Sequence, residues 1–105
     1  MHALPWDSVA EEEWEGNPFR ALLPAQPGNG LEIYRLTVTR ANPHHHDTYD
    51  QVYIVDSGRG IMQIGDERQE VGPGWIIHIP RGKRHALTPL GQAPVVVYSI
   101  VHHLP

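Results

Sequence analysis

From Leu31 onward the chain alternates with a period of two. Leu31, Ile33, Arg35 and Thr37 interleave with Glu32, Tyr34, Leu36 and Val38. Both sets carry apolar side chains, as in a strand with two partly covered faces. Pro43 to Asp47 reads as a short extended segment, and Gln51 to Asp56 is rich in β-prone residues (Val52, Tyr53, Ile54, Val55). Ser57-Gly58-Arg59-Gly60 is a turn, Ile61 to Ile64 a strand, and Gly65-Asp66 suits a two-residue primed hairpin turn into a returning strand, Glu67 to Val71. Gly72-Pro73-Gly74 turns the chain again. Trp75 to Ile79 is a strand stopped by Pro80, Arg81-Gly82 a turn, and Arg84 to Thr88 a strand. Val95 to Val101 is nearly all apolar, so it reads as a last long strand buried on both sides.

Residues 1–30 follow a different pattern. Ser8 and Glu11 fit a capping box, which predicts a short helix over Ala10–Glu15 ending at Gly16. Glu11, Glu12, Glu13 and Glu15 suit a solvated face. Pro18, Pro24 and Pro27 make residues 17–30 loop or edge strand, because proline cannot donate to a ladder. The chain therefore divides into an arm, residues 1–30, packing on the barrel or on a partner, and a β domain, residues 31–105. About eight strands at roughly ten-residue spacing predict an antiparallel sandwich or barrel. No repeat and no second domain is visible.

Composition narrows the function classes. The chain has 105 residues, ten Gly, ten Pro and no Cys. Disulfides and thiolate metal sites are excluded. A net charge of −4 with histidine neutral argues against nucleic acid or an anionic membrane as partner. No apolar run approaches the ~20 residues of a membrane span and no signal-peptide core is seen, so the expectation is a cytoplasmic protein.

Chemistry concentrates in Pro43-His44-His45-His46-Asp47-Thr48-Tyr49-Asp50-Gln51. Residues two apart on a strand share a face, so His44 and His46 project together while His45 faces away. Gln51 lies beyond a turn, on the next strand. Imidazole suits several divalent transition metals, and an amide oxygen is a harder ligand for a fourth position. His85 follows the rigid turn Pro80-Arg81-Gly82, but spacing alone does not bring it to the pair. Asp47 and Asp50 are competing carboxylates that also suit turn stabilisation. His78 should face outward, and His102 and His103 lie where chain ends fray.

These residues resemble the cupin superfamily. Its first motif reads His-x-His, four residues, Glu, six residues, Gly, and His44, His46, Gln51 and Gly58 fall at those spacings. Its second motif reads Gly, five residues, Pro-x-Gly, two residues, His, and Gly74, Pro80, Gly82 and His85 match it. Two positions depart from the pattern: Val38 replaces a glycine ahead of the first histidine, and Gln51 replaces the glutamate. The resemblance covers about Leu31 to Val101. It implies an all-β, single-domain cupin (a double-stranded β-helix or jelly-roll barrel) with a short N-terminal arm. It further implies that His44, His46, Gln51 and His85 converge on one divalent ion: Ni, Zn, Mn, Fe, Co or Cu. The alternative is that the three histidines alone hold the ion and Gln51 only hydrogen-bonds in the pocket.

The neutral ligand set leaves the charge of the ion uncompensated, which favours oxygen-rich or acidic small molecules. A His-His-Gln-His set is similar to that of the small cupins that linearise unsaturated uronates. Those cupins carry a late Asp and Arg, and Val95–Val101 contains neither. The expected functions are a metal-dependent isomerase, lyase or dioxygenase, a non-enzymatic ligand-binding or storage module, or a metal-free barrel. Tyr53, which shares the face of Gln51, is the candidate catalytic residue, with His102 and Asp50 as weaker candidates for a base. Tyr34, Met62, Trp75 and Tyr98 are candidate pocket residues, and Arg35 or Arg40 a candidate cation. Small cupins are similar to one another in forming two-fold dimers, so a homodimer is expected, with Trp6, Trp14, Phe19 and Leu22-Leu23 as apolar anchors of the arm.

Overall fold

Among the described residues the chain folds into nine strands in two sheets. The structure is a computed structural model and describes residues 1–103. In chain order the strands are β1 (Glu12–Trp14), β2 (Asn17–Leu23), β3 (Leu31–Val38), β4 (Tyr49–Ser57), β5 (Gly60–Ile64), β6 (Glu67–Val71), β7 (Ile76–Ile79), β8 (His85–Pro89) and β9 (Val95–His103). The large sheet has the order β1-β2-β3-β9-β4-β7, and the small sheet the order β6-β5-β8. All pairings are antiparallel. This is the jelly-roll sandwich that the strand spacing and motif resemblance predict.

Alternation decides what fills the space between the sheets. Leu36 and Val38 of β3, Tyr53 and Val55 of β4, and Val95 and Val97 of β9 point inward and are buried. Met62, Val71 and Leu87 meet them from the small sheet. In β9 only one face is fully buried; Val96, Tyr98 and Ile100 on the other face are half-exposed. The expectation of burial on both sides is corrected accordingly. β6 forms an edge whose exposed residues are Glu67, Arg68, Gln69 and Glu70, a charged margin that discourages pairing with another chain.

The arm also differs from expectation. No helix forms over Ala10–Glu15. A single 3-10 turn, Trp6–Ser8, is followed by the hairpin β1–β2. Ser8 Oγ donates to the Pro5 carbonyl (2.7 Å) instead of capping a helix. The hairpin loop is Glu15-Gly16, with φ of 51° and 84°, the positive values that a tight primed turn requires. A six-residue helix is marginal alone, whereas β1 and β2 extend the large sheet, with Phe19 opposite Leu36 and Arg20 opposite Arg35. Residues 17–23 are thus a strand inside the sheet, and Pro18 is tolerated on the side facing the short edge strand β1.

One buried polar residue secures the hairpin. The Asn17 side-chain oxygen accepts from the Thr39 amide (2.9 Å), the Arg40 amide (3.2 Å) and Thr39 Oγ1 (2.9 Å), and its Nδ2 donates to the Arg40 carbonyl (3.1 Å). It ties the arm to the segment that leaves β3 and runs into the histidines.

Candidate metal centre

His44 and His85 are 41 residues apart in sequence and are joined by their backbones. The His44 amide donates to the His85 carbonyl (3.1 Å) and the His85 amide to the His44 carbonyl (2.8 Å), an isolated antiparallel bridge between the histidine stretch and the start of β8. The Gly82 amide also donates to the His46 carbonyl (2.6 Å). The turn after Pro80 is therefore docked on the histidine stretch, the step that spacing alone left open.

The three rings consequently form one cluster. Ring centroids lie 4.3 Å apart for His44–His85, 4.7 Å for His44–His46 and 5.4 Å for His46–His85. One ligand atom from each lies within 4.8 Å of the others. His45, between them, is exposed and pairs with Asp47 (3.5 Å).

Hydrogen bonds select which nitrogen each ring presents. His44 Nδ1 donates to the Asn42 carbonyl (2.6 Å) and His85 Nδ1 to the Lys83 carbonyl (3.0 Å). A carbonyl only accepts, so in both rings Nε2 is left with its lone pair, the arrangement of a metal-bound histidine. His46 Nδ1 pairs instead with Tyr49 Oη (2.6 Å), whose ring stacks on the imidazole at 4.5 Å. Burial, then the neighbouring imidazoles, push His46 down to about 4 and lower His85 as well, so these two rings favour the neutral form, the one that can bind a metal. Trp14 of the arm packs edge-on against His44, with centroids 4.7 Å apart.

Gln51 is 7% exposed and lines the same cavity as His44 and His46. Its Nε2 donates to Ser99 Oγ (2.7 Å), while its Oε1, like His85 Nε2, is buried without a partner. An unmet buried acceptor costs about 1–3 kcal/mol. Imidazole lone pairs and an amide oxygen are all acceptors, so they cannot satisfy one another, and a cation answers them together. The residues present therefore fit a divalent metal.

The cavity encloses about 320 Å³ and is also lined by Trp14, Phe19, Glu32, Tyr34, Tyr49 and Tyr53. That volume lies near the lower end for small-molecule sites. Tyr53 is 4% exposed, and desolvation raises its hydroxyl pKa, with a small further push from Tyr49. Tyr49 is pushed up to about 12, by burial first and then by Glu32.

Other sequence candidates lie elsewhere. Asp50 is on the opposite face of β4, where its Oδ1 accepts from the Arg81 amide (3.1 Å). His102 is exposed, Met62 belongs to the core, and Trp75 is an exposed residue. Tyr98 lies under the Arg35 guanidinium on the outer face, where Arg35 also covers Trp6 and pairs with Asp56 (3.0 Å). Arg40 is held by the Glu15 carbonyl (3.0 and 3.1 Å). His102 and His103 are within β9, not in a frayed end, and His103 pairs with Glu32. Sequence reasoning missed Glu32, Tyr49, Ser99 and His103 as site residues. Parity carried the signal: Glu32 shares the inward face of Leu36 and Val38, Tyr49 that of Gln51, and Ser99 and His103 that of Val97 and Val101.

Comparison with known proteins bears on the family. The model of the cupin domain matches residues 35–101. An uncharacterized protein of Methanocaldococcus jannaschii is 33% identical over 54 residues, which are 51% of this chain and 43% of that protein. The alignment thus spans less than half the length of that relative. Among solved structures, a predicted oxalate decarboxylase from Thermotoga maritima superposes with a TM-score of 0.87 at 13% identity, covering 97% of this chain and 99% of that one. A Photorhabdus luminescens protein superposes with a TM-score of 0.76 at 24% identity, covering 97% and 86%. At these identities the superpositions speak for the fold alone. The family match spans well over half the chain, and the protein belongs to the cupin domain family.

Proposed function

We propose that this chain is a metal-dependent cupin in which His44, His46, Gln51 and His85 hold one divalent transition ion beside a pocket for a small oxygen-rich or acidic molecule. The observation that carries this reading is the pair of buried acceptors without partners, Gln51 Oε1 and His85 Nε2, in a site where the ligand atoms of three histidines already lie within 4.8 Å. When bound, such an ion supplies a Lewis acid that polarises an oxygen of the ligand.

The residues of the chain do the rest. The Asn42 and Lys83 carbonyls aim two imidazoles, and Ser99 anchors the amide nitrogen of Gln51 so that its oxygen is the free end. Trp14 and Phe19 give the cavity an apolar wall that limits water. Tyr53 offers a hydroxyl that stays protonated, suited to donating a hydrogen bond or proton to the ligand rather than to acting as a base.

A second reading, a non-enzymatic binding module, is favoured by one observation. Asp50 and His102, two of the candidate bases, are on the outer face of the sheet. One experiment separates the readings: metal content of protein purified without a tag, then turnover of a panel of sugar acids, enols and diketones by the metal-loaded protein. Turnover lost in His46→Ala makes it an isomerase, lyase or dioxygenase; binding without turnover makes it a module. Less than about one-tenth equivalent of metal per chain, not restored by dialysis against Ni, Zn, Mn or Fe, rejects the metal reading.

We also propose a homodimer. Cross-strand register aligns Ile33, Ile100, Val52 and His78 in one outer row, and Arg35, Tyr98, Ile54 and Ile76 in the next. Ile76 is 70% exposed and Trp75 44%. A sheet face whose centre is apolar and whose rows end in Arg35 and His78 is suited to a second copy.

A further inference from the structure

The cavity has a second polar pole. Glu32 of β3 points into it, and its side chain is only 12% exposed. Tyr34, two residues on and on the same face, donates its hydroxyl to Glu32 Oε1, and His103 of β9 donates Nε2 to Glu32 Oε2. The same register that zips β3 to β9 and β9 to β4 places His103 beside Tyr49, ring centroids 5.1 Å apart. Tyr49 in turn bonds His46. The cavity therefore has neutral metal-ligand groups in one wall and a fixed carboxylate in another.

Burial opposes ionisation of Glu32, but the hydrogen bonds from Tyr34 and His103 outweigh it, and its pKa lies below the ordinary carboxylate value. A carboxylate held this way is a weak base. It remains a strong hydrogen-bond acceptor, because each oxygen has two lone pairs and only one is used. A second carboxylate at this end meets like charge in a partly desolvated space. A hydroxyl donates to the free lone pair.

We propose that Glu32 is a specificity-determining residue, accepting a hydrogen bond from a hydroxyl of the ligand and rejecting a carboxylate at that end. The ligand class is then a small hydroxy acid that gives its acidic end to the metal and a hydroxyl to Glu32, rather than a dicarboxylate. This rests on the metal reading above.

The test is calorimetric titration of zinc-loaded protein with two matched pairs: the terminal hydroxy acid of butanoate against succinate, and that of pentanoate against glutarate. Zinc stoichiometry is measured first. The readout is the ratio of the two affinities within a pair. Glu32→Gln removes the charge, keeps the shape and adds an amide donor, and should move the ratio toward the dicarboxylate by about 10-fold or more. Tyr34→Phe keeps the carboxylate and should keep the preference for the hydroxy acid. An unmoved ratio in Glu32→Gln at full zinc loading overturns the inference alone. So does loss of the preference in Tyr34→Phe to the same degree as in Glu32→Gln, which marks a role of shape. No binding of either hydroxy acid at millimolar concentration also overturns it. Failure of the wild type to take up zinc overturns the metal reading instead.

Discussion

Gln51 gives its amide nitrogen to Ser99 Oγ at 2.7 Å, across the β4–β9 pair, and keeps its amide oxygen buried with no partner. The serine thereby fixes which end of a symmetric-looking side chain faces the cavity. Ser99→Ala should release the amide and weaken metal binding by roughly 10-fold, the usual loss for a supporting group behind a metal ligand. Gln51→Glu should strengthen it, because a carboxylate cancels one unit of the ion's charge. Chelator competition on purified variants checks both. Equal affinity in all three proteins would leave Gln51 outside the coordination sphere.

Acid should destabilise the metal-free protein through His46. The unfolded imidazole takes up a proton near the ordinary 6.5, whereas in the folded state burial and its neighbours hold it down to about 4. Between those values the unfolded state binds more protons, so stability is fully present above about pH 6.5 and falls as pH drops towards 4. His85 shifts in the same direction. Thermal melts across this window should show the fall, and His46→Gln should lessen it, leaving the part due to His85. A wild-type profile flat from pH 7 to about 4 would show that His46 takes its proton normally in the fold.

Two motif glycines should differ in cost. Both have positive φ, 82° at Gly58 and 78° at Gly82. A Cβ on Gly58 would lie 2.1 Å from the Pro94 carbonyl oxygen and 2.9 Å from Val95 Cα, backbone atoms that cannot easily move. A Cβ on Gly82 would meet nothing closer than Asp47 Oδ1 at 4.0 Å. Gly82→Ala should therefore cost about 1–2 kcal/mol, the left-handed penalty alone, and Gly58→Ala about 4 kcal/mol or more, or fail to fold. Urea unfolding of the two variants gives the comparison.

Asn17→Ala should cost about 1–2 kcal/mol, because it strands the partly buried Thr39 and Arg40 backbone groups that its side chain serves. It should also loosen the β1–β2 hairpin that places Trp14 against His44. Fluorescence of the tryptophans together with denaturant unfolding tests both parts. An unchanged unfolding midpoint would mean that water serves those groups as well.

The proposed dimer predicts its own disruption. Ile54→Lys and Ile76→Lys put charge on the outer rows of the large sheet without touching the cavity. Each should shift the protein to monomer in equilibrium sedimentation at micromolar concentration while metal uptake persists. A wild type that sediments only as monomer would remove the proposal.

How far the sequence reaches depends on the range of the interactions involved. Alternation is a local property of a strand, so the two-sheet fold, the inward face of β4 and the shared face of His44 and His46 could be read from 31–101 directly. The turns were legible for the same reason, since Gly65-Asp66 and Pro80-Arg81-Gly82 carry their conformations in their own residues. The arm was misread because a capping box is also local, and local signals lose when a short segment gains more by joining a sheet; only the pairing of β2 with β3 decided that. The meeting of His44 with His85 is a backbone bridge across 41 residues, and the Glu32–His103 pair spans 71. No periodicity encodes contacts of that separation. Which side chains share a face follows from residue parity along each strand; which faces meet follows from strand register, which the packing of the whole core sets.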